Sequence, residues 1–242
     1  MTTYRLKIEI DPQIFRLRPS DNLCIARKGK QIYSFPATPA DSIHAVNQVF
    51  NVVLHGASII PTGRQDSLMA KNVFQWQDEF RVLCARDYKP PFPVSAATDQ
   101  VEIHYGQQAL YNTGKIESPK AASPTQFMGG DFGTESILDS FIVTRVPSKL
   151  KVACECKTVG GRWDPIYVDP GSHVTVSDRQ ITPSHEYVIF WDGQLTPNAV
   201  FRYNPAPEKK EFAFEQGETE KSFRFGYAIA DQRKGDEEAR FY

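Results

Sequence analysis

The stretch that decides the fold is YRLKIEI, residues 4–10, in which apolar and charged side chains alternate with a period of two. Successive side chains of an extended strand point to opposite faces, so this alternation is typical of a strand with one buried and one solvated face. The same period returns near the other end of the chain in FRFGYAI, residues 223–229. We therefore expect strands at both ends.

Between these ends lie many short apolar segments bounded by polar or turn-forming residues, and almost no run has helical spacing. Sheets of closely spaced antiparallel strands bury an apolar face against another sheet. The sequence therefore predicts an all-β fold of two β-sandwich-like units built from antiparallel strands. Phe15 to Leu17 is among the predicted strands, and Ala40 to Val46 is the best helix candidate. Lys89 to Pro93 is expected to be an extended loop or edge, because its prolines cannot donate ladder hydrogen bonds.

The stretch ESPKAASPTQFMGGDFGTE, residues 117–135, concentrates Pro, Ser, Ala and Gly without sustained periodicity. That composition is typical of a linker. We place the domain division there, with an N-terminal sandwich-like domain at 1–116 and a C-terminal one at 136–242. Each half has a tryptophan in a strand-like setting, VFQWQDEF around Trp76 and VIFWDGQL around Trp191. A diverged duplication is therefore a hypothesis.

Composition narrows the class of protein. Of the 242 residues, 40% are apolar and 24% charged, which is usual for a soluble globular protein. A net charge of -1 creates no broad field for nucleic acid or anionic lipid. The N-terminus lacks the continuous apolar segment of a secretory signal, and no later segment is long enough to span a bilayer. We therefore expect a cytoplasmic location, no nucleic-acid partner and no membrane span.

The four cysteines, Cys24, Cys84, Cys154 and Cys156, are interpreted as small, mostly buried thiols in a reducing compartment. The five histidines are scattered, and none stands at a close ligand spacing supported by a cysteine pair. We predict no metal and no cofactor.

The sequence offers no convincing catalytic motif, and we predict no catalytic residue. Glu102 and His104 share one face of a predicted strand, where they could share a proton or a metal, or belong to a solvated sheet face. Ser184-His185-Glu186 contains the residue types for nucleophilic catalysis, but adjacent residues on an extended chain point in opposite directions.

Two aromatic–acidic pairs are candidates for ligand binding: Trp163 with Asp164 in GGRWDP, and Trp191 with Asp192 in FWDG. Sugar sites commonly combine aromatic stacking with polar hydrogen bonds. Trp163 is flanked by glycine and proline, which favours an exposed ring. Trp191 ends an unbroken apolar run, which also suits a core position.

Three segments of the first half, FNVVL (50–54), NVFQWQDEFRV (72–82) and VEIHYGQQ (101–108), resemble abundant developmental proteins of ascomycete fungi, the kind found in sclerotia and fruiting bodies. The resemblance covers roughly residues 23–110. It implies a β-rich, cytoplasmic, non-enzymatic protein with a storage, structural or lectin-like role. Leu54 and His55 depart from the pattern, which would place an aromatic residue after the valine pair. No functional residue is implied.

The leading expectation is a non-enzymatic, self-associating structural, storage or developmental protein, whose strand edges offer unpaired N–H and C=O groups to another copy of the chain. The protein would then bind other copies of itself and form a homo-oligomer or a higher assembly. The alternative is a lectin-like protein that binds glycans. The second alternative is a hydrolase with an unrecognised spatial site, for which a buried pocket that holds His104 or His185 beside a carboxylate would be the structural sign.

Overall fold

The computed structural model of the protein describes residues 2–34, 44–58, 66–127, 139–171, 175–202, 208–227 and 239–242. These residues form strands and very little helix. The helical elements are α1 (Ile14–Leu17) and a 3-10 helix (Pro124–Gln126). The strands are β1 (Thr3–Ile10), β2 (Asn22–Ser34), β3 (His44–Ser58), β4 (Asp66–Ser67), β5 (Lys71–Ala85), β6 (Val101–Ile103), β7 (Gln107–Asn112), β8 (Lys115–Ile116), β9 (Lys120–Ala121), β10 (Phe141–Val146), β11 (Lys151–Thr158), β12 (Trp163–Val168), β13 (Ser177–Asp192), β14 (Lys209–Ala213), β15 (Glu220–Gly226) and β16 (Arg240–Phe241).

The described strands form two sheets. Sheet A has the order β12-β11-β5-β1-β15-β16, with β6 beside β5. Sheet B has the order β4-β3-β2-β13-β10-β7-β8, with β14 beside β13 and β9 beside β7. The predicted all-β fold is confirmed. Most pairs are antiparallel as expected, but β1 runs parallel to β15, β7 to β10 and β3 to β4.

Both sheets take strands from both halves of the chain. In sheet A, β1 and β5 pair with β15 and β11 respectively. In sheet B, β2 pairs with β13 over twelve registered positions from Asn22 to Ser34. The sheets therefore do not follow the predicted division into 1–116 and 136–242. Part of the predicted linker carries β9 and the 3-10 helix, and residues 128–135 lie outside the described residues.

The main core lies between the two sheets. The alternation of residues 4–10 is realised directly, because Tyr4, Leu6, Ile8 and Ile10 are all buried. Trp76 on β5 is also fully buried, and its Nε1 donates a 2.9 Å hydrogen bond to the hydroxyl of Tyr187 on β13. Trp76 is therefore a core residue. Because burial of each large apolar side chain contributes roughly 1.5–3 kcal/mol, this shared core makes each sheet depend on the other.

A side chain of β3 closes the edge of sheet A at β12. Asn51 Nδ2 donates to the carbonyl of Val168 at 2.5 Å, and the Val168 N–H donates to Asn51 Oδ1 at 3.3 Å. The carboxamide thus takes the place of a neighbouring strand. Beside it, Gly29 of β2 packs so closely that a Cβ would lie 2.2 Å from Cδ2 of Tyr167. Only glycine permits this approach between the sheets.

Two local predictions are wrong. Phe15 to Leu17 lies in α1 instead of a strand, because Asp11 Oδ1 accepts the N–H of Gln13 at 3.0 Å and starts a helical turn. Residues 44–46 of the predicted helix belong to β3, and residues 40–43 lie outside the described residues. The loop at 89–93 is confirmed, since it falls between β5 and β6.

The four cysteines are free and buried, as predicted. In the part of the chain that the structure describes, no helix has the length and apolar character needed to cross a membrane.

Candidate ligand-binding site

An open cleft of about 640 Å³ lies against sheet A. Strands β5, β11 and β12 form its floor, and the loops that follow β5 and β13 form its walls. Both halves of the chain therefore contribute to it. The lining residues are Arg81, Pro93, Val94, Gln100, Glu155, Trp163, Pro165, Thr196, Pro197 and Asn198.

Backbone hydrogen bonds fix the wall formed by the loop after β13. Asn198 N donates to the carbonyl of Val53 at 2.7 Å, and Val53 N donates to the carbonyl of Ala199 at 3.0 Å. Val94, in the opposite wall, donates to the Asn198 carbonyl at 3.4 Å. Asn198 has a φ of +70°, in the left-handed region that asparagine tolerates better than most residues. The cleft is therefore a preformed feature of the fold.

Trp163 lies on the cleft floor at the start of β12. The ring is partly buried and lies cross-strand from Lys157 of β11. The guanidinium carbon of Arg81 is 5.0 Å from the ring centroid, and Lys157 Nζ is 5.6 Å from it. Each cation is held by a carboxylate, Arg81 by Glu155 and Lys157 by Glu79 at 2.8 Å. Cation–π contacts therefore hold the indole in place on the sheet.

Asp164, predicted to act with Trp163, does not line the cleft. It is fully buried because neighbouring residues of a strand point to opposite faces. Its Oδ2 accepts hydrogen bonds from Arg162, at 2.9 Å from Nε and 2.8 Å from Nη2. Asp164 and Trp163 thus point to opposite faces of the strand, and the buried Asp164 carboxylate forms an ion pair with Arg162.

Trp191 and Asp192 lie at the end of β13 in sheet B, and neither lines the cleft. Trp191 is only 8% exposed and packs against Phe225 with ring centroids 5.2 Å apart. Its alternative interpretation as a core residue is confirmed. Asp192 Oδ1 accepts the N–H groups of Gln194 and Leu195 at 2.7 and 2.9 Å, which shapes the following loop. Of the four predicted ligand-binding residues, only Trp163 lines this cleft.

The remaining lining residues were not foreseen. Arg81 and Glu155 face each other because β5 and β11 are paired in that register. Asn198 and Pro93 come together through an isolated bridge between Pro93 and Ala199. These contacts join distant parts of the chain, and no local pattern in the sequence signals them.

A second polar cluster lies between the sheets where two strands bulge. The β5–β11 register shifts around Asp78, and the β13–β2 register shifts around Ser184. Arg27 is fully buried there and donates from Nη2 to Asp78 Oδ1 at 3.1 Å and from Nε to the Ser184 carbonyl at 2.6 Å. Tyr105 donates its hydroxyl to Asp78 Oδ2 at 3.3 Å. The cluster links sheet A to sheet B.

His185 belongs to this second cluster, since its Nε2 lies 4.0 Å from Asp78 Oδ2. This separation is too long for a hydrogen bond, so the carboxylate does not orient the histidine directly. Burial and then the positive charge of Arg27 lower the pKa of His185. Ser184 Oγ, however, bonds to Glu186, and burial raises the pKa of the nearby Cys156 thiol to about 12. These contacts do not supply His185 with an activated nucleophile.

The other candidates for chemistry also stand apart. Glu102 and His104 are exposed, and His104 lies beyond the end of β6. Among the residues placed by the structure, no three or more His, Cys, Asp or Glu side chains are grouped so that they could hold a metal ion.

The strand edges bear on the predicted self-association. Asn51 closes the edge at β12, and Phe201 covers part of β3 by donating its N–H to the Asn51 carbonyl at 2.9 Å. Strands β4, β8, β9 and β16 are only two residues long. Covered and very short edges are typical of proteins that avoid edge-to-edge pairing.

Comparisons with known proteins give no match: no family model fits the chain, and no curated protein or solved structure is significantly similar to it. The functional argument therefore depends on the chemistry of the cleft.

Proposed function

We propose that the protein is a non-enzymatic binding protein that holds a saccharide in the cleft around Trp163. The observation that carries this proposal is Trp163, which is partly exposed, lines the cleft and is held on the sheet by Arg81 and Lys157. Sugars present apolar C–H faces that stack on aromatic rings and hydroxyl rims that form hydrogen bonds. An indole fixed in this way can bind such a face with little loss of side-chain entropy.

The rest of the lining suits the same ligand class. Pro165 and Pro197 add apolar side chains to the lining, while Gln100 and Thr196 supply hydrogen-bonding groups. The volume of about 640 Å³ is within the range of small-molecule sites. Because the cleft is open and shallow, we expect a dissociation constant between about 0.1 and 1 mM, which corresponds to about -4 to -5.5 kcal/mol.

A glycan array tests this proposal. The wild-type protein should bind a defined set of glycans, and Trp163→Ala should lose that binding. Tyr242→Ala is the matched control, since Tyr242 is an exposed aromatic residue that does not line the cleft. Binding that survives in Trp163→Ala, or an array without any bound glycan, would contradict the proposal.

Self-association in a structural, storage or developmental role is a second proposal. Large exposed apolar side chains support it, among them Leu17, Met69 and Val73, which are 62%, 61% and 57% exposed. The four free, buried thiols support a reducing compartment such as the cytoplasm. Size-exclusion chromatography with light scattering should then show an oligomer. A strict monomer at high protein concentration would contradict this second proposal.

A further inference from the structure

We infer that Glu155 sets the charge selectivity of the Trp163 cleft, so that the cleft accepts neutral saccharides and rejects anionic ones. This inference rests on the saccharide-binding function proposed above. Glu155 acts as a specificity-determining residue by occupying the guanidinium group of Arg81.

Arg81 and Glu155 both line the cleft and face each other across β5 and β11. Arg81 Nε donates a hydrogen bond to Glu155 Oε2. An arginine beside an aromatic ring is otherwise well suited to a carboxylate or sulfate group on a sugar, because its planar fork binds such groups in a bidentate manner. Glu155 already uses part of that fork.

The exposures of the two side chains favour the same conclusion. The Arg81 side chain is 24% exposed, whereas that of Glu155 is 9% exposed. The cation therefore lies nearer to an incoming ligand, and its countercharge lies beneath. A negative charge in this sheltered position acts through a lower effective dielectric than one in open solvent.

The neighbouring charged groups do not change the net charge that an incoming ligand meets in the cleft. Lys157 is neutralised by Glu79. Glu102 lies cross-strand from Arg81 on β6, but it is exposed, so water and salt screen it. Of the charged groups that the structure describes here, these two cations and three carboxylates leave no surplus positive charge for an anionic ligand.

Glu155→Gln is the informative variant. Glutamine keeps the shape and an oxygen that can accept from Arg81, but it removes the negative charge. Trp76 and Trp191 are 0% and 8% exposed, so a collisional quencher reports mainly on Trp163. We expect the quenching constant for iodide, an anion, to rise about two-fold in Glu155→Gln, because attraction to Arg81 raises its local concentration. The constant for neutral acrylamide should stay unchanged.

Two controls accompany this measurement. Glu220→Gln removes the same charge from β15, outside the cleft, and should leave both quenching constants as in the wild type. The double variant Arg81→Gln with Glu155→Gln should return the iodide constant to the wild-type value, because it removes the attracting cation. An iodide constant that does not rise in Glu155→Gln, or a rise that persists in the double variant, would overturn the inference.

The glycan array provides the second measurement. Wild type should bind neutral glycans only, and Glu155→Gln should gain binding to uronate-containing or sialylated glycans while it keeps the neutral ones. Equal binding of anionic and neutral glycans by the wild type would overturn this inference alone. Absence of any glycan binding by the wild type would overturn the proposed function and this inference with it.

Discussion

His55 leads us to expect a loss of stability in mild acid that one substitution should remove. The side chain is 5% exposed, and its ring centroid lies 5.8 Å from that of Phe74 and 5.7 Å from that of Trp76. Its Nε2 is buried and has no hydrogen-bond partner among the residues that the structure describes. Burial, and then the positive charge of Arg162, lower the pKa of His55 to about 3. The ordinary value of 6.5 applies to the unfolded chain.

The direction of the change in stability with pH follows from the folded and unfolded pKa values of His55. Because the folded pKa is lower, the unfolded chain takes up the proton first, and the folded state loses stability as the pH falls below about 6.5. At pH 5 the unfolded histidine is almost fully protonated, while the folded one is still neutral. The interval of about 1.5 pH units between 6.5 and 5, at 1.36 kcal/mol per unit, corresponds to about 2 kcal/mol lost relative to pH 8.

The assay is urea unfolding of the wild type and of His55→Phe at pH 8 and pH 5. The wild type should lose about 2 kcal/mol more between these pH values than the variant, which has no group to protonate at this position. His185, whose pKa burial also lowers, contributes equally to both proteins. His104→Gln replaces an exposed histidine and should behave as the wild type. Equal losses in the wild type and His55→Phe would refute the reasoning.

Two further substitutions test the junctions between the sheets. Asn51→Leu leaves the backbone N–H and C=O of Val168 without their partners, and should cost about 2–4 kcal/mol in urea unfolding; a cost below about 1 kcal/mol would show that the carboxamide does not hold this edge. Asp78→Asn leaves the buried charge of Arg27 uncompensated and should cost about 3–5 kcal/mol. The double variant Arg27→Met with Asp78→Leu should recover most of that loss, and a double variant as unstable as Asp78→Asn would contradict this account of the cluster.

Local periodicity was sufficient to predict the strands but not their partners. The alternation in residues 4–10 reports the conformation of one segment, and the burial of Tyr4, Leu6, Ile8 and Ile10 follows from it. Nothing within that segment shows that Arg5 lies beside Glu220, more than two hundred residues away. The linker-like composition of 117–135 suggested a boundary, yet the hydrogen-bonded pairs of both sheets cross it.

Of the candidate site, the sequence predicts one residue, Trp163, and it does so from its immediate neighbours. Flanking glycine and proline residues marked Trp163 as an exposed aromatic. Asp164 is predicted to bind a ligand together with Trp163, but it lies in β12, where the alternation of a strand directs it inward. Glu155 and Arg81 gave no signal, because their meeting depends on the β5–β11 register.

Both halves of the chain build the sandwich and its cleft together. Separating the two halves tests this joint construction most directly. Fragments 1–116 and 136–242 are expressed alone, then mixed and refolded, and each sample is followed by urea unfolding and amide NMR spectra. Neither fragment alone should show dispersed amide resonances or a cooperative transition, because in each fragment both sheets lack the strands that the other fragment supplies. Refolding the mixture should restore both. A 136–242 fragment that unfolds cooperatively on its own, with native dispersion, would contradict the shared sheets on which the cleft depends.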